Sequence, residues 1–469
     1  MIEKISDYKW AIPKEGAMRV PAYVFASDKL LSMMKNDNTL SQLRNVACLP
    51  GVYKQALCMP DGHQGYGFPI GGVAALDFND GGISPGGIGY DINCGVRLLQ
   101  TNLTKKEVLP KISDLINSIY RNVPCGVGEG GIMGKLSDAD LKSVLNNGSE
   151  WALDKGYATS DDLDRTEESG KLSADASNVS QRAMARGRDQ LGSLGAGNHF
   201  LEIQAVDEIL DKGSAKSFGI SDVNQVTVMI HCGSRGLGHQ VCSDYLRDME
   251  KSYPEIIGSL PDRELVYAPA GSSLASNYLS AMNAAANFAW ANRQLIAHQI
   301  RKSFREIFPS SELTQVYDVC HNICKLEEYD GKKFFLHRKG ATRCVPKGHS
   351  LVPKPYKNAG QPVIIPGTMG TASYLLVGLE SCVNESFMST AHGAGRVMSR
   401  HEAIKNLPSE SVRKSLSDDG ILLKARSMVS VSEEAPKAYK DVDEVVRVSE
   451  LAGIAKRVAR VRPLGVIKG

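Results

Sequence analysis

Gly86-Gly87-Ile88-Gly89-Tyr90-Asp91-Ile92-Asn93-Cys94-Gly95 sets a carboxylate and a thiol three residues apart, walled in by glycine. It runs straight into the strand-like Val96-Arg97-Leu98-Leu99. Glycine opens backbone conformations closed to other residues, so both side chains can face one cavity. Asp offers a hard oxygen and Cys a soft thiolate, a mixed donor pair that suits a borderline divalent metal. The same residues also fit a tight turn with a buried cysteine, because free Cys packs as a small hydrophobe. What decides between the two is which other segments can converge on this one.

The 469 residues are 42% hydrophobic and 23% charged, the balance of an ordinary globular protein. A net charge of +3 gives no global polyelectrolyte character, so any basic surface has to be local. The ten cysteines are scattered singly with no CxxC pair and read as reduced thiols, not a disulfide frame. Met1-Ile2-Glu3-Lys4-Ile5-Ser6-Asp7 has no basic-then-apolar pattern, and no apolar run reaches the length of a membrane span. A cytoplasmic enzyme is expected.

Eleven glycines fall between Asp61 and Gly95, around an apolar run Pro69 to Leu76 that reads as a buried strand. Ser27 caps a short helix to Met34, and Thr104 caps a helix from Lys105 to about Arg121. From Asp138 to Arg188 the chain is polar and charge-rich, and is expected to form solvated helices and loops at the periphery. Val226, Val228 and Ile230 alternate in a strand that ends on His231. Ser272 to about Phe308 is the longest helical pattern, closed by Pro309. Thr314–Val319 and Pro362–Ile365 read as strands, and Val442–Val461 as an amphipathic helix. These alternations predict one large α+β domain over residues 1–469, with mixed β-sheets flanked by helices.

Three segments set a histidine in a polar turn at a strand end: Gly195-Ala196-Gly197-Asn198-His199-Phe200-Leu201-Glu202, Ile230-His231-Cys232-Gly233-Ser234-Arg235, and Tyr317-Asp318-Val319-Cys320-His321-Asn322. With Asp91 and Cys94 they provide five donors of the kind transition metals accept. Ser389-Thr390-Ala391-His392-Gly393-Ala394-Gly395-Arg396 differs in kind. Small residues leave room beside His392, the glycines expose N–H groups, and Arg396 offers a fork for phosphate. Imidazole is a competent nucleophile toward phosphorus; a buried histidine in a glycine-rich helix start fits the same residues. Pro366-Gly367-Thr368-Met369-Gly370-Thr371-Ala372-Ser373 looks like a hydroxyl-and-glycine phosphate cradle without the Lys of a P-loop. Arg186, Arg188, Arg235, Arg343, Arg396 and Arg400 flank these segments and predict a local anion-binding surface. Leu464 to Ile467, just before Lys468, suggest a tail tucked into the body.

Taken together, these segments and Asp61-Gly62-His63-Gln64-Gly65-Tyr66-Gly67-Phe68-Pro69-Ile70-Gly71-Gly72 closely resemble the RNA-splicing ligase RtcB family, in family order from about residue 50 to Lys468-Gly469. The resemblance implies an RtcB-like fold. It also implies a GTP- and Mn²⁺-dependent RNA ligase that joins 2′,3′-cyclic phosphate or 3′-phosphate ends to 5′-hydroxyl ends, in tRNA splicing or RNA repair. Two Mn²⁺ would share the site, with Cys94, His199 and His231 on one, Asp91, Cys94 and His321 on the other, and Cys94 bridging. His392 would carry GMP covalently. Asn198, Phe200, Glu202, Thr368, Ser373, Ala394, Gly395, Tyr439 and Lys468 would contact the guanine nucleotide, joined by Arg396 on its own chemistry. Asp61 would lie near the pyrophosphate and metal region, and Arg186, Arg235 and Arg400 would hold RNA phosphates. Split tRNA, an archease-type activating protein, a monomeric state and no membrane are the expected associations.

Thr368 stands where the family pattern has Ser, and Cys232 where it has Thr, which would put another thiol near the metals. The competing reading is a dinuclear metal-dependent phosphoesterase that acts on cyclic phosphates without nucleotide activation. It needs the Asp/Cys/His cluster but neither His392 nor Lys468. A non-catalytic RNA-binding subunit would need neither set.

Overall fold

Gly95–Thr104, the run that follows the opening stretch, lies inside the larger of two main sheets in the computed structural model, which describes residues 2–469. Across that sheet the strands run Leu313–Cys320, Gly95–Thr104, Gln225–Cys232, Phe200–Ile209, Ala455–Lys468, Ser373–Gly378 and Pro362–Ile365, each antiparallel to its neighbour. Leu422–Ala425 adds a parallel pairing along the far half of Ala455–Lys468. Gln225–Cys232 is buried at every position, as a strand covered on both faces must be.

The second sheet runs Glu3–Ser6, Lys9–Ile12, Ala22–Phe25, Val52–His63, Ile70–Asp77, Lys332–Lys339 and Asn322–Tyr329. Only Ala22–Phe25 and Val52–His63 pair in parallel within it. A ribbon of Ala341–Arg343 against Ser389–Ala391 carries the chain to His392. The glycine-rich run Ile70–Asp77 is a buried strand, as its composition predicts.

Ser273–Ile307 is a single helix of 35 residues, about 52 Å long. Ser272 caps it, its hydroxyl accepting from Ala275 N at 3.1 Å. Every residue from Ala284 to Ala297 is buried, so this stretch is enclosed on all sides, which is why its apolar residues form no single stripe. Its far end closes a second core with Leu115, Ile116, Val226, Val228, Ile300 and Phe304. Among the described residues, no helix is long and apolar enough to cross a membrane.

Four expectations change. The helix predicted after Thr104 is broken, into Lys105–Val108 and Ile112–Asn122, because Pro110 lacks the N–H a continuous helix needs. Thr104 and Glu107 still close a capping box at its start. The predicted helix Val442–Val461 ends at Leu451, where Gly453 turns the chain at φ +75°. Residues 455–468 are strand, rich in Val and Ile, and their basic side chains pair with acids beside the sheet, as Arg460 does with Asp207 at 2.7 Å. The segment 138–188 is polar, yet Leu141, Val144, Leu145 and Trp151 enter the main core and Asp162 and Glu167 are buried, so it is not peripheral. His392 follows a strand, not a helix start.

Candidate active site

Strand register assembles the site. Gly95 pairs with Cys320 on one side and Cys232 on the other, while His231 pairs with Phe200 and Phe200 with Lys468. Neighbouring strands lie about 4.8 Å apart. His321, Cys94, His231, His199 and Lys468 therefore stand side by side along one end of the sheet. Backbone bonds fix the turn between them: His321 N donates to Cys94 O at 2.9 Å and Asn93 N to Asn322 O at 2.8 Å. Asn93 takes φ +51°, a left-handed conformation that aims Asp91 and Cys94 at the same space.

All five predicted donors meet. Cys94 Sγ lies 3.2 Å from His231 Nε2 and 3.6 Å from His199 Nε2, and His231 Nε2 is 3.3 Å from His321 Nε2. Asp91 Oδ2 is 2.8 Å from His199 Nε2. Within 4.8 Å the atoms fall into two sets, Cys94 with His231 and His321, and Cys94 with Asp91 and His199. This grouping exchanges His199 and His321 relative to the one the resemblance implies, because the Asp91 carboxylate takes His199. Cys94 belongs to both sets in either grouping.

Burial, reinforced by the neighbouring imidazoles, holds His231 and His321 well below their ordinary range, in the neutral form that ligates. Burial works against charge on His199, but Cys232 and Asp91 outweigh it and raise its value. Burial would raise Asp91 too, yet the His199 contact brings it down to about 2. Burial and Asp91 push the Cys94 thiol up to about 12. A cation would compensate the opposed lone pairs here and displace these protons.

His392 faces the cluster, its ring centroid 4.9 Å from that of His321. Nδ1 of His392 lies 2.5 Å from Oδ2 of Asp61, a carboxylate with no exposure. The same oxygen accepts from His392 N at 2.9 Å and Gly393 N at 3.3 Å. Burial would raise the Asp61 carboxyl, but the His392 imidazole and these bonds hold it below its ordinary value. The contact favours a proton on Nδ1 and leaves the Nε2 lone pair free. A side chain at Gly395 (φ +76°) would meet the Asp61 carbonyl at 2.2 Å, so this close approach requires glycine.

A cavity of about 250 Å³ opens between His392 and the cluster. Asn198, Phe200, Thr368, Ala394, Gly395, Arg396, Arg400, Tyr439 and Lys468 line it with His392, Asp91, Cys94, His231 and His321. Lys468 is buried, its Nζ donating to the carbonyls of Gly197 and, at 3.0 Å, His199. Arg396 stacks on Tyr439 at 4.8 Å and pairs with Glu434 at 3.2 Å, so its fork is engaged within the protein. Glu202 and Ser373 sit behind the lining, fully buried. Glu202 Oε1 has no partner there, and burial pushes its carboxyl up to about 8. Ser373 Oγ accepts from Gly367 N at 3.0 Å and closes the turn.

The basic residues divide. Arg186 and Arg235 lie together outside the cavity, where Arg235 Nε donates to Ser193 Oγ at 3.1 Å and Arg186 to Gln240 at 3.1 Å. Arg400 lines the cavity and pairs with Glu433 at 2.9 Å. Arg343, expected on the anion-binding surface, is instead buried against Glu168 at 2.7 Å, and Arg188 is taken up by Asp138. The expected further thiol lies behind the cluster: Cys232 Sγ donates to Leu194 O at 3.0 Å and stands 3.9 Å from His199 Nδ1. Sequence reasoning missed His63, Asn322 and Glu434 in the lining; His63 and Asn322 lie in motifs already singled out, but nothing local marks Glu434.

The description "tRNA-splicing ligase RtcB" belongs to the family model that matches residues 42–469. The chain belongs to the RtcB family. The tRNA-splicing ligase RtcB of Thermococcus kodakarensis is 54% identical over 478 residues, covering 100% of this chain and 99% of the relative. That of Nanoarchaeum equitans is 55% identical over 477 residues, and that of Pyrobaculum aerophilum 52% over 480, with the same coverage. In this RtcB family member His392, Lys468 and four of the five cluster donors, Asp91, Cys94, His231 and His321, line one cavity.

Proposed function

We propose that the chain joins RNA 2′,3′-cyclic phosphate or 3′-phosphate ends to 5′-hydroxyl ends, using GTP and Mn²⁺ through a guanylate on His392. The observation that carries this is His392, backed by Asp61 at 2.5 Å, facing a five-donor cluster across one cavity. A phosphoesterase would leave that pair without a role.

The donor set suits borderline divalent ions: one buried thiolate, three buried imidazoles and the half-buried Asp91 carboxylate, nearly in contact. Asp91, Cys94, His199, His231 and His321 would hold two Mn²⁺, with Cys94 common to both. Bound there, the ions would neutralise charge developing on phosphoryl oxygens and orient the reacting groups.

His392 Nε2 attacks the α-phosphorus of GTP as the bond to the bridging oxygen breaks and pyrophosphate leaves. Asp61 keeps the proton on Nδ1 and stabilises the cationic imidazole that results. A 3′-phosphate oxygen then takes the guanylate from His392, which turns a poor leaving group into a good one. Attack by the 5′-hydroxyl on that 3′-phosphorus makes the phosphodiester and expels GMP. Glu202 and Lys468 would contact the guanine, with Asn198, Phe200, Thr368, Ser373, Ala394, Gly395 and Tyr439 around the nucleotide. Arg186 and Arg235 would hold RNA phosphates on the Asp91 side, and Arg400 at the nucleotide side. Cyclic ends would first be opened by water at the same cluster. The two halves of a split tRNA fit this chemistry.

Incubation with α-labelled GTP and Mn²⁺ is expected to label the wild-type protein and leave His392→Ala unlabelled. An unlabelled wild type refutes the reading.

A further inference from the structure

Four segments bring the metal ligands, and all four are tied to two adjacent residues of the long helix Ser273–Ile307. Arg293 Nη1 donates to Asn93 O at 2.9 Å and Nη2 to Asn93 Oδ1 at 3.0 Å, which grips the turn between Asp91 and Cys94. Nη1 also donates to Cys232 O at 2.7 Å, the residue after His231. Nε and Nη2 reach the two oxygens of Asp318, at 2.9 and 2.8 Å, three residues before His321. The fourth segment, the loop that leads to His199, is held by Asn292. Its Oδ1 accepts from Gly192 N at 2.7 Å and Ser193 N at 3.0 Å, and its Nδ2 donates to Ser193 O at 3.1 Å. Nδ2 also reaches Cys232 Sγ at 3.1 Å.

Both residues have no exposure at all. Charge balance does not account for Arg293, because Arg97 already pairs with Asp318 at 2.7 Å and is equally buried. What Arg293 adds is a rigid fork with enough donors to bind three segments at once, which no other side chain offers. Two turns earlier on the same helix face, the Ala286 carbonyl accepts from Asn93 Nδ2 at 2.8 Å. The left-handed Asn93 is thus bound at its side-chain amide, its side-chain oxygen and its carbonyl, enough to over-determine a conformation that would otherwise relax.

We propose that Asn292 and Arg293 are positioning residues that set the separation of the metal ligands by clamping all four ligand-bearing segments to one turn of helix. This rests on the metal reading of the cluster. The helix supplies its own control. Asn287, also fully buried, binds Leu145 O at 2.8 Å and Leu172 O at 2.9 Å and touches no ligand-bearing segment.

The test is Co²⁺ titration of the purified full chain, followed by the thiolate-to-cobalt and d–d absorption bands, with thermal unfolding run on each sample. Arg293→Lys and Asn292→Ala are expected to weaken Co²⁺ binding by about 10- to 100-fold, the usual effect of losing a group that orients ligands, and to alter the bands. Asn287→Ala is expected to lower the unfolding midpoint and keep the wild-type spectrum and affinity. If Arg293→Lys does not fold, Asn292→Ala, which changes no charge, carries the comparison. Wild-type Co²⁺ binding and spectra in the folded clamp variants overturn the proposal. So does an equal loss in Asn287→Ala at a similar unfolding midpoint. A wild type that takes up no Co²⁺ overturns the metal reading, and the clamp with it.

Discussion

Asp61→Asn keeps the shape of the side chain beneath His392 and removes its charge. In the wild type one carboxylate oxygen serves the imidazole Nδ1 and two backbone N–H groups. The amide oxygen of Asn can still accept from the backbone, so the loop from His392 to Gly395 is expected to keep its path. What is lost is a charge-assisted contact to an imidazole that, in the proposed mechanism, would become cationic as its Nε2 attacks phosphorus. Such a bond contributes about 1.5–3 kcal/mol, which converts to guanylylation about 10- to 150-fold slower at ~1.4 kcal/mol per decade. Single-turnover incorporation of label from α-labelled GTP measures this directly. Metal content, measured on the same samples, should stay at the wild-type value because Asp61 is not among the cluster donors. Labelling at the wild-type rate, with equal metal content, would refute the role given to Asp61. An equal loss in rate and metal content would place Asp61 in the metal site instead.

Two further carboxylates, Asp91 in the cavity lining and Glu202 behind it, make separate predictions. Cys94 is the donor common to both ligand sets and Asp91 belongs to one; Cys94→Ala is therefore expected to empty both metal positions and Asp91→Ala mainly one, counted by elemental analysis of Mn²⁺-loaded protein. Equal stoichiometry in the two variants would contradict a shared thiolate. Glu202 ionises near 8 when folded, against an ordinary 4.5. Below about 4.5 it is protonated in both states and pH has no effect through it; between the two values only the unfolded state ionises, so stability falls by up to ~1.4 kcal/mol per pH unit and levels off above 8. Glu202→Gln is expected to gain in thermal midpoint over wild type from pH 5 to 8 while taking less label from GTP. Parallel melting curves across that range would count against a buried, neutral Glu202.

Local pattern carried much of the site and the elements that present it. Strand alternation ending on His231, the strand before Cys320-His321 and the glycine-walled Asp91–Cys94 turn were legible because each is a short-range signal. Distance was not legible. Asp61 and His392 lie 331 residues apart, and only the folded chain shows that one orients the other. Asn292 and Arg293 sit in an alanine-rich helical pattern, where two polar residues look like an interruption of the core. The last strand was misread because Lys456, Arg457 and Arg460 suit a helix surface as well as a strand flanked by acids. Segment 138–188 shows the reverse error: its average polarity hid a few large apolar residues that decide its packing.

The strand Ala455–Lys468 fills an interior place in the eight-stranded sheet, against Phe200–Ile209. Its register joins Ala459 to Ile209 and Lys468 to Phe200, so the gap along the chain is at least 250 residues. While a ribosome makes those residues, Phe200–Ile209 has one row of backbone groups with nothing to bond to. A bare edge of that kind invites pairing with another nascent chain. Newly made molecules will depend on shielding at that edge, and heating that peels Ala455–Lys468 away will favour aggregates over reversible unfolding. Lys468, which lines the cavity beside His392, is carried by the same strand, so that cavity is complete only once the sheet has closed.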